Sequence, residues 1–224
     1  MNNIIVDSSV NYNKGGVYKL TIDKDIDIKI ESDSLVKLYL NTLKNVNINI
    51  NAESNVKIYN LTSKGVVVNL KILDEIEVNL YNMSITDKKI VNMLNIYHKA
   101  KNSVSHLYCY GVSYNEGNIK IAANSYINKG MTGVNCNQVS RTININNGTS
   151  VIEPNLYVDE FDSVANHSAY TGPFDDKYLF YLETKGISRD KAFNLLLKGF
   201  MKLDDLPKDF EKLLDKKIKN VIGR

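Results

Sequence analysis

A period of ten residues governs the first part of the chain. Apolar residues fall at Ile26, Ile28 and Ile30, then at Val36, Leu38 and Leu40, then at Val46, Ile48 and Ile50. They return at Val56 and Ile58, at Val66, Val68 and Leu70, and at Ile76, Val78 and Leu80, with Asn60 the one polar residue in these slots. The positions between are mostly polar, as at Asp27, Lys29, Asn47, Asn49, Lys57, Asn69 and Glu77. Alternation with period two marks a strand with one buried face.

Six such strands at constant spacing fit either a meander or a solenoid. The loops favour the solenoid. Hairpins draw on Gly or Asn-Gly to reach positive φ, yet "ESDSL", "NTLKN", "NAESN", "LTSKG" and "KILDE" hold a single glycine between them. Hairpins also have no reason to keep one length, whereas stacked coils do, because each rung must lie over the last to pair its backbone. Ten residues is short for a full coil and fits half of one. The expectation is a flattened parallel β-helix with two strands per turn and a narrow aliphatic core. Each buried Val, Ile or Leu contributes about 1.5–3 kcal/mol, and backbone ordering offsets most of that gain.

The repeat loosens after residue 82. "KKIVNMLNIYHKAKNSVSHLYCYGVS" alternates β-branched and aromatic residues and reads as two or three further strands to about residue 113. "GNIKIAANSYI", "SRTININN" and "PNLYVDEF" carry the β pattern to about residue 165. From Pro173 the pattern changes to helix. "DDKYLFYLETK" opens with acids suited to a helix N-terminus and stops at Gly186. Ser188 can cap "RDKAFNLLLKGF". "DDLPKDFEKLLDKKIKNVIGR" follows as a third helix, with Pro207 in its first turn and an apolar stripe at Phe210, Leu213, Leu214, Ile218 and Val221. A β domain over 1–172 and a helical domain over 173–224 are therefore expected. The apolar side chains of the helices suit either a helix-to-helix core or a docking surface.

Composition narrows the function. The net charge is +3, and arginine occurs only at Arg141, Arg189 and Arg224. Scarce arginine and the lack of a tight lysine cluster argue against specific nucleic-acid binding. No apolar run approaches the roughly 20 residues that span a bilayer. The start "MNNIIVDSSV" lacks a basic region followed by an apolar core, and two cysteines make no disulfide framework. A reduced cytoplasmic setting is expected. No Gly-rich phosphate loop is visible, so no nucleotide is expected on this chain.

The segment "VANHSAYTGPFDDKYLFYLETKGISRDKAFNLLLKGF" resembles the C-terminal signature of the SufB/SufD family of iron–sulfur cluster assembly proteins. There a strand with a histidine precedes an acidic pair, a Leu-Phe-Tyr-Leu run, Gly-Ile-Ser, and a helix ending in Gly-Phe. His167, Ala169, Gly172, Asp175, Asp176, Leu179, Phe180, Tyr181, Leu182, Gly186, Ile187, Ser188, Ala192, Gly199 and Phe200 stand in the corresponding order. The similarity is densest over 164–200 and extends from about residue 86 to the end, while 1–85 match by β-repeat character alone. The resemblance implies a right-handed parallel β-helix followed by a helical domain. It implies pairing through the C-terminal part of the β-helix, as a homodimer or with a SufB/SufD paralogue, and docking of a SufC-like ATPase on the helices. A cysteine desulfurase system would supply sulfur, and no enzyme activity is implied for this chain itself.

The resemblance also names candidate residues. His167 corresponds to the family histidine at the pairing interface and is the candidate metal ligand; Cys136, in "GVNCNQVS", is the second candidate ligand of a transient iron–sulfur cluster, or a small core residue. Asp175, Asp176, Tyr178, Leu179, Phe180, Leu182, Ile187, Phe193 and Phe200 are the candidate partner-binding residues. Relatives often carry cysteine or glutamate where this chain has Gly148, Ala165 and Ser168. That leaves a thin ligand set and keeps open a purely structural, SufD-like role. A β-helix enzyme acting on polysaccharide is the least supported class, because grouped acids are missing from the outward positions.

Overall fold

The computed structural model describes residues 4–5, 8–201 and 206–222. Asp204 and Asp205, which open the third-helix segment, and Arg224 lie outside the described residues.

The alternating segments form strands β1 (Ile4–Ile5), β2 (Ser9–Tyr12), β3 (Gly16–Ile22), β4 (Ile26–Ile30), β5 (Val36–Thr42), β6 (Val46–Ala52), β7 (Val56–Thr62) and β8 (Val66–Ile72). Longer strands follow: β9 (Glu77–Thr86), β10 (Lys89–His98), β11 (Val104–Tyr114), β12 (Asn118–Ile127), β13 (Val134–Ile145), β14 (Thr149–Val158) and β15 (Ser163–Gly172). Odd-numbered strands pair only with odd and even only with even, always in parallel, giving two sheets in the orders β1-β3-β5-β7-β9-β11-β13-β15 and β14-β12-β10-β8-β6-β4-β2. A coil therefore uses two strands, and the ten-residue period is half a coil, as the sequence indicates. Register partners stand 20 residues apart at Leu40 and Asn60 but 31 apart at Cys109 and Ser140. This widening of the coils is why the sequence period fades after residue 82.

The inward side chains make one aliphatic core, with Ile30, Val36, Leu38, Ile48, Ile50, Val56, Ile58 and Leu70 all closed to solvent. Asn60 breaks the pattern without breaking the core. Its amide oxygen accepts from Thr42 Oγ1 at 2.7 Å, and its amide nitrogen donates to Asn82 Oδ1 at 2.7 Å. Buried polar groups are tolerable when they satisfy one another, and stacked coils supply such a partner on either side. Side-chain ladders also run along the outside. Asn155, Asn124, Asn95, Asn69 and Asn49 form a file in which each amide donates to the next at 2.8–2.9 Å, and Asn49 ends it on Asp27. Tyr39, Tyr59, Tyr81 and Tyr108 stack at 4.8 Å on the outer face of the first sheet.

Three helices follow: α1 (Asp176–Thr184), α2 (Arg189–Met201) and α3 (Lys208–Ile222). Asp175 caps α1 by accepting from the Lys177 N–H at 3.0 Å. Gly186, at φ +78°, follows the C-cap Lys185, and the Ile187 N–H returns to the Leu182 carbonyl at 3.2 Å. Pro207 precedes α3 rather than lying in its first turn; its carbonyl accepts the Glu211 N–H at 2.9 Å. The helices cover the tyrosine-bearing outer face of the first sheet. Phe210 meets Tyr39 edge-on at 5.4 Å, Phe200 meets Tyr110 at 5.7 Å, and Leu197, Met201, Leu214, Ile218 and Val221 complete a second core. Leu213 departs from the expected stripe and is 38% exposed. On a 3.6-residue repeat it sits at the rim of the face that Phe210, Leu214, Ile218 and Val221 bury.

Candidate functional site

The last coil is laid down and left open. Among the described residues β14 pairs only with β12, and β15 only with β13, so each presents a free backbone edge. A free edge of ten residues is a template for another strand unless something blunts it. β15 contains no proline, and Pro154 removes one N–H from β14. Apolar surface surrounds both edges. Val151, Tyr157, Val164 and Tyr170 are about half exposed, and Phe161, in the turn joining the two strands, is fully exposed.

His167 lies on this coil. It stands in register with the buried Gln138, on the same side of β15 as Ala165 and Ala169. Its face thus continues the interior of the solenoid, but no further coil covers it, and the ring is exposed. Cys136 lies one coil below, in register with Ala165, and is fully buried among Ile127, Val134, Met131, Leu156 and Ala165. Strand geometry puts the Cys136 and His167 Cα atoms about 8 Å apart on one inner face. The two candidate ligands are neighbours, but only the imidazole meets solvent. Cys109, the other thiol, is sealed in the aliphatic core, and burial pushes its pKa up to about 12.

Among the described residues no three His, Cys, Asp or Glu side chains converge. The donors of one chain therefore do not by themselves fit a four-coordinate cluster. Backbone packing requires glycine at position 148. A Cβ on Gly148 would lie 2.2 Å from the Ser113 carbonyl oxygen, so no side chain fits there. Ala165 closes the packet over Cys136, and Ser168 faces outward beside Val139.

The helical candidates divide by facing. Leu179 is buried, and Phe193 and Phe200 pack edge-to-face on Phe174 at 5.6 and 6.2 Å, inside the second core. Tyr178 and Phe180 are more than half exposed, while Leu182 and Ile187 are half-buried. Asp175 is spent on the cap of α1, and Asp176 faces Arg189 at 3.3 Å. The partner-binding candidates read from the sequence leave out Tyr181, named there only for the resemblance, and Leu195, both more than half exposed. The signal was available for Tyr181, since it lies three residues beyond Tyr178 on one helix face. Leu195, Ile187, Lys191, Asn194 and Lys198 line a shallow apolar groove, where the Asn194 Oδ1 is buried without a hydrogen-bond partner among the described residues.

Comparison with known proteins matches residues 29–200 to the family described as "SUF system FeS cluster assembly, SufBD core domain". An iron–sulfur cluster assembly SufBD family protein of Mycobacterium leprae is 39% identical over 71 residues, covering 31% of this chain and 18% of the relative. The iron–sulfur cluster assembly protein SufD of Bacillus subtilis is 27% identical over 132 residues, 55% of this chain and 30% of that protein. A SufBD family protein of Galdieria sulphuraria is 29% identical over 160 residues, 65% of this chain and 66% of that protein. The matched stretch is less than a fifth of the Mycobacterium relative and about two thirds of the Galdieria one.

Proposed function

The chain belongs to the SufBD core-domain family of SUF-system iron–sulfur cluster assembly proteins, and from that premise we propose that it is a non-enzymatic subunit of a cytoplasmic assembly complex. It pairs through the open last coil of its β-helix and docks a SufC-like ATPase through residues 173–224. The observation that carries this reading is the unblunted ten-residue edge of β15, flanked by exposed Tyr157, Phe161, Val164 and Tyr170. Pairing with a second copy or a SufB/SufD paralogue would cover that edge and the inner face holding His167. The exposed Tyr178, Phe180 and Tyr181 of α1 supply the aromatic anchors expected at a docking surface. The cluster is the cargo of such a complex, built with sulfur from a cysteine desulfurase. No helix among the described residues is long and apolar enough to cross a membrane.

A SufC-like ATPase tested for capture by this chain under reducing conditions should bind, and the Phe180→Glu, Tyr181→Glu double variant should lose that binding with its thermal unfolding unchanged. Equal capture by the variant, or no capture by the parent chain, overturns the docking assignment.

A second reading has an observation of its own. Cys136 is closed to solvent within an apolar packet, which suits a SufD-like partner that holds no cluster. Anaerobic incubation of the paired protein with ferrous iron and sulfide separates the two. A chromophore lost in His167→Ala supports a ligating subunit, and an identical spectrum in that variant supports the structural one.

A further inference from the structure

The asparagine file on the outer face of the second sheet has a direction. Asn155, Asn124, Asn95, Asn69 and Asn49 are successive register partners, and the file ends on Asp27. An amide side chain can stand either way round, so such a file could point its N–H groups toward either end of the solenoid. Asp27 removes that freedom. A carboxylate accepts hydrogen bonds and donates none, so the Asn49 amide donates to it, and each amide above donates to the one below. The direction set at Asp27 is carried over five rungs, roughly 24 Å at the spacing of paired strands.

The consequence falls at the open edge of β14. Asn155 is the last member of the file, and its Nδ2 donates to Asn124 Oδ1 at 2.9 Å and to the Glu153 carbonyl at 3.4 Å. Both amide hydrogens are thus spent, and what the file offers to the next rung is the Asn155 Oδ1, an acceptor. The backbone of β14 has room for a strand there. The Thr149 N–H donates to the Gly117 carbonyl and the Asp159 N–H to the Ile127 carbonyl, so odd-numbered residues turn their N–H and C=O groups toward β12. Even-numbered residues, Leu156 among them, turn theirs to the open edge, where Pro154 lacks the donor. The file is also shielded near this end. Asn95 and Asn124 are 6% and 7% exposed, beside Tyr97, Tyr126 and Tyr157 stacked at 4.7 Å. A strand laid on β14 takes the half-buried Asn155 out of water as its neighbours already are, and an acceptor desolvated there is costly unless a donor meets it.

We propose that the strand that pairs on β14 carries a hydrogen-bond donor, an amide, lysine or arginine side chain, opposite Asn155, and that Asp27 imposes this requirement from the far end of the file. Strand addition draws affinity from backbone bonds and selectivity from side chains on one face. Here a strand with a carboxylate or an aliphatic residue opposite Asn155 leaves a buried acceptor unpaired and is discriminated against. This selection rests on the last coil being the pairing surface, and it names the chemistry of what pairs there.

The test compares two substitutions of opposite hydrogen-bonding kind in whichever sample pairs, the chain alone or the chain with a SufB/SufD paralogue. Affinity is read by sedimentation at about 1 M salt, where charges act over only about 3 Å. Asn155→Asp keeps an acceptor at the edge and should hold the affinity within about threefold of the parent. Asn155→Lys sets a donor against a donor and should weaken pairing at least about tenfold, as for one desolvated group left unpaired. Circular dichroism of the single chains should be the same in both, since Asn155 lies on the outer face. The proposal is overturned if Asn155→Lys pairs as tightly as the parent, or if Asn155→Asp weakens pairing as much as Asn155→Lys does. Absence of any pair contradicts the pairing surface itself, and this selection with it.

Discussion

His98 shows what the interior of the solenoid demands of a single residue. It is 1% exposed; its Nδ1 lies 2.7 Å from Ser103 Oγ and its Nε2 2.9 Å from Ser105 Oγ. The Ser103 hydroxyl donates to the Ala100 carbonyl at 2.9 Å, so Nδ1 carries the proton and Nε2 accepts from Ser105. Burial pushes the pKa from 6.5 down to about 4. The folded protein thus binds its proton later than the unfolded chain. The contribution of His98 is complete above about pH 6.5 and is lost as the pH falls toward 4, the loss amounting to about 3 kcal/mol by the bottom of that window. Chemical denaturation between pH 7 and pH 4 should show this slope, and His98→Gln should lack it while starting from lower stability; equal slopes would refute the assignment. None of this was legible in "NIYHKAKNSVS", because both serines meet the ring only after the chain has turned the corner between β10 and β11. Asn60 is the complementary case. Its place in an apolar slot was visible, and its reason, the partners Thr42 and Asn82 on adjacent coils, was not.

Among the elements, α3 has the clearest division between sequence and tertiary context. Its apolar stripe was readable by period, but the surface that receives it is a file of tyrosines contributed by separate coils. Phe210 is 3% exposed against Tyr39, and the start of the helix is tied to β3 by the ion pair of Asp209 with Lys19. Phe210→Ala should cost about 3–5 kcal/mol, as for other buried aromatics. Hydrogen exchange should then quicken through Lys208–Ile222 and leave the β6–β8 amides nearly unchanged; uniform acceleration across the solenoid would show that α3 is not a separable layer. The strands were the most legible elements, because one buried face at period two writes itself into the sequence. The partition of α1 and α2 was the least legible. Leu179, Phe193 and Phe200 look like Tyr178 and Phe180 in the sequence, and only packing against Phe174 and the sheet separates them.

For the molecule as a whole, the parallel two-sheet solenoid and the switch to helices near residue 173 were both set out by periodicity, and the family by the segment around His167. What the sequence left open was which surfaces are closed. His167 reads as a ligand and Cys136 as either a ligand or a core residue; stacking closes Cys136 and leaves His167 at an uncovered rung. The central claim is that this rung is a pairing surface. Sedimentation velocity tests it, on the chain alone and mixed with a SufB/SufD paralogue. The account predicts a species containing two solenoid chains in at least one of these samples, reduced to single chains by Ala169→Pro, which removes a backbone donor from β15 and adds a ring at its edge. Single chains in both samples, or a pair that Ala169→Pro leaves intact, would contradict it.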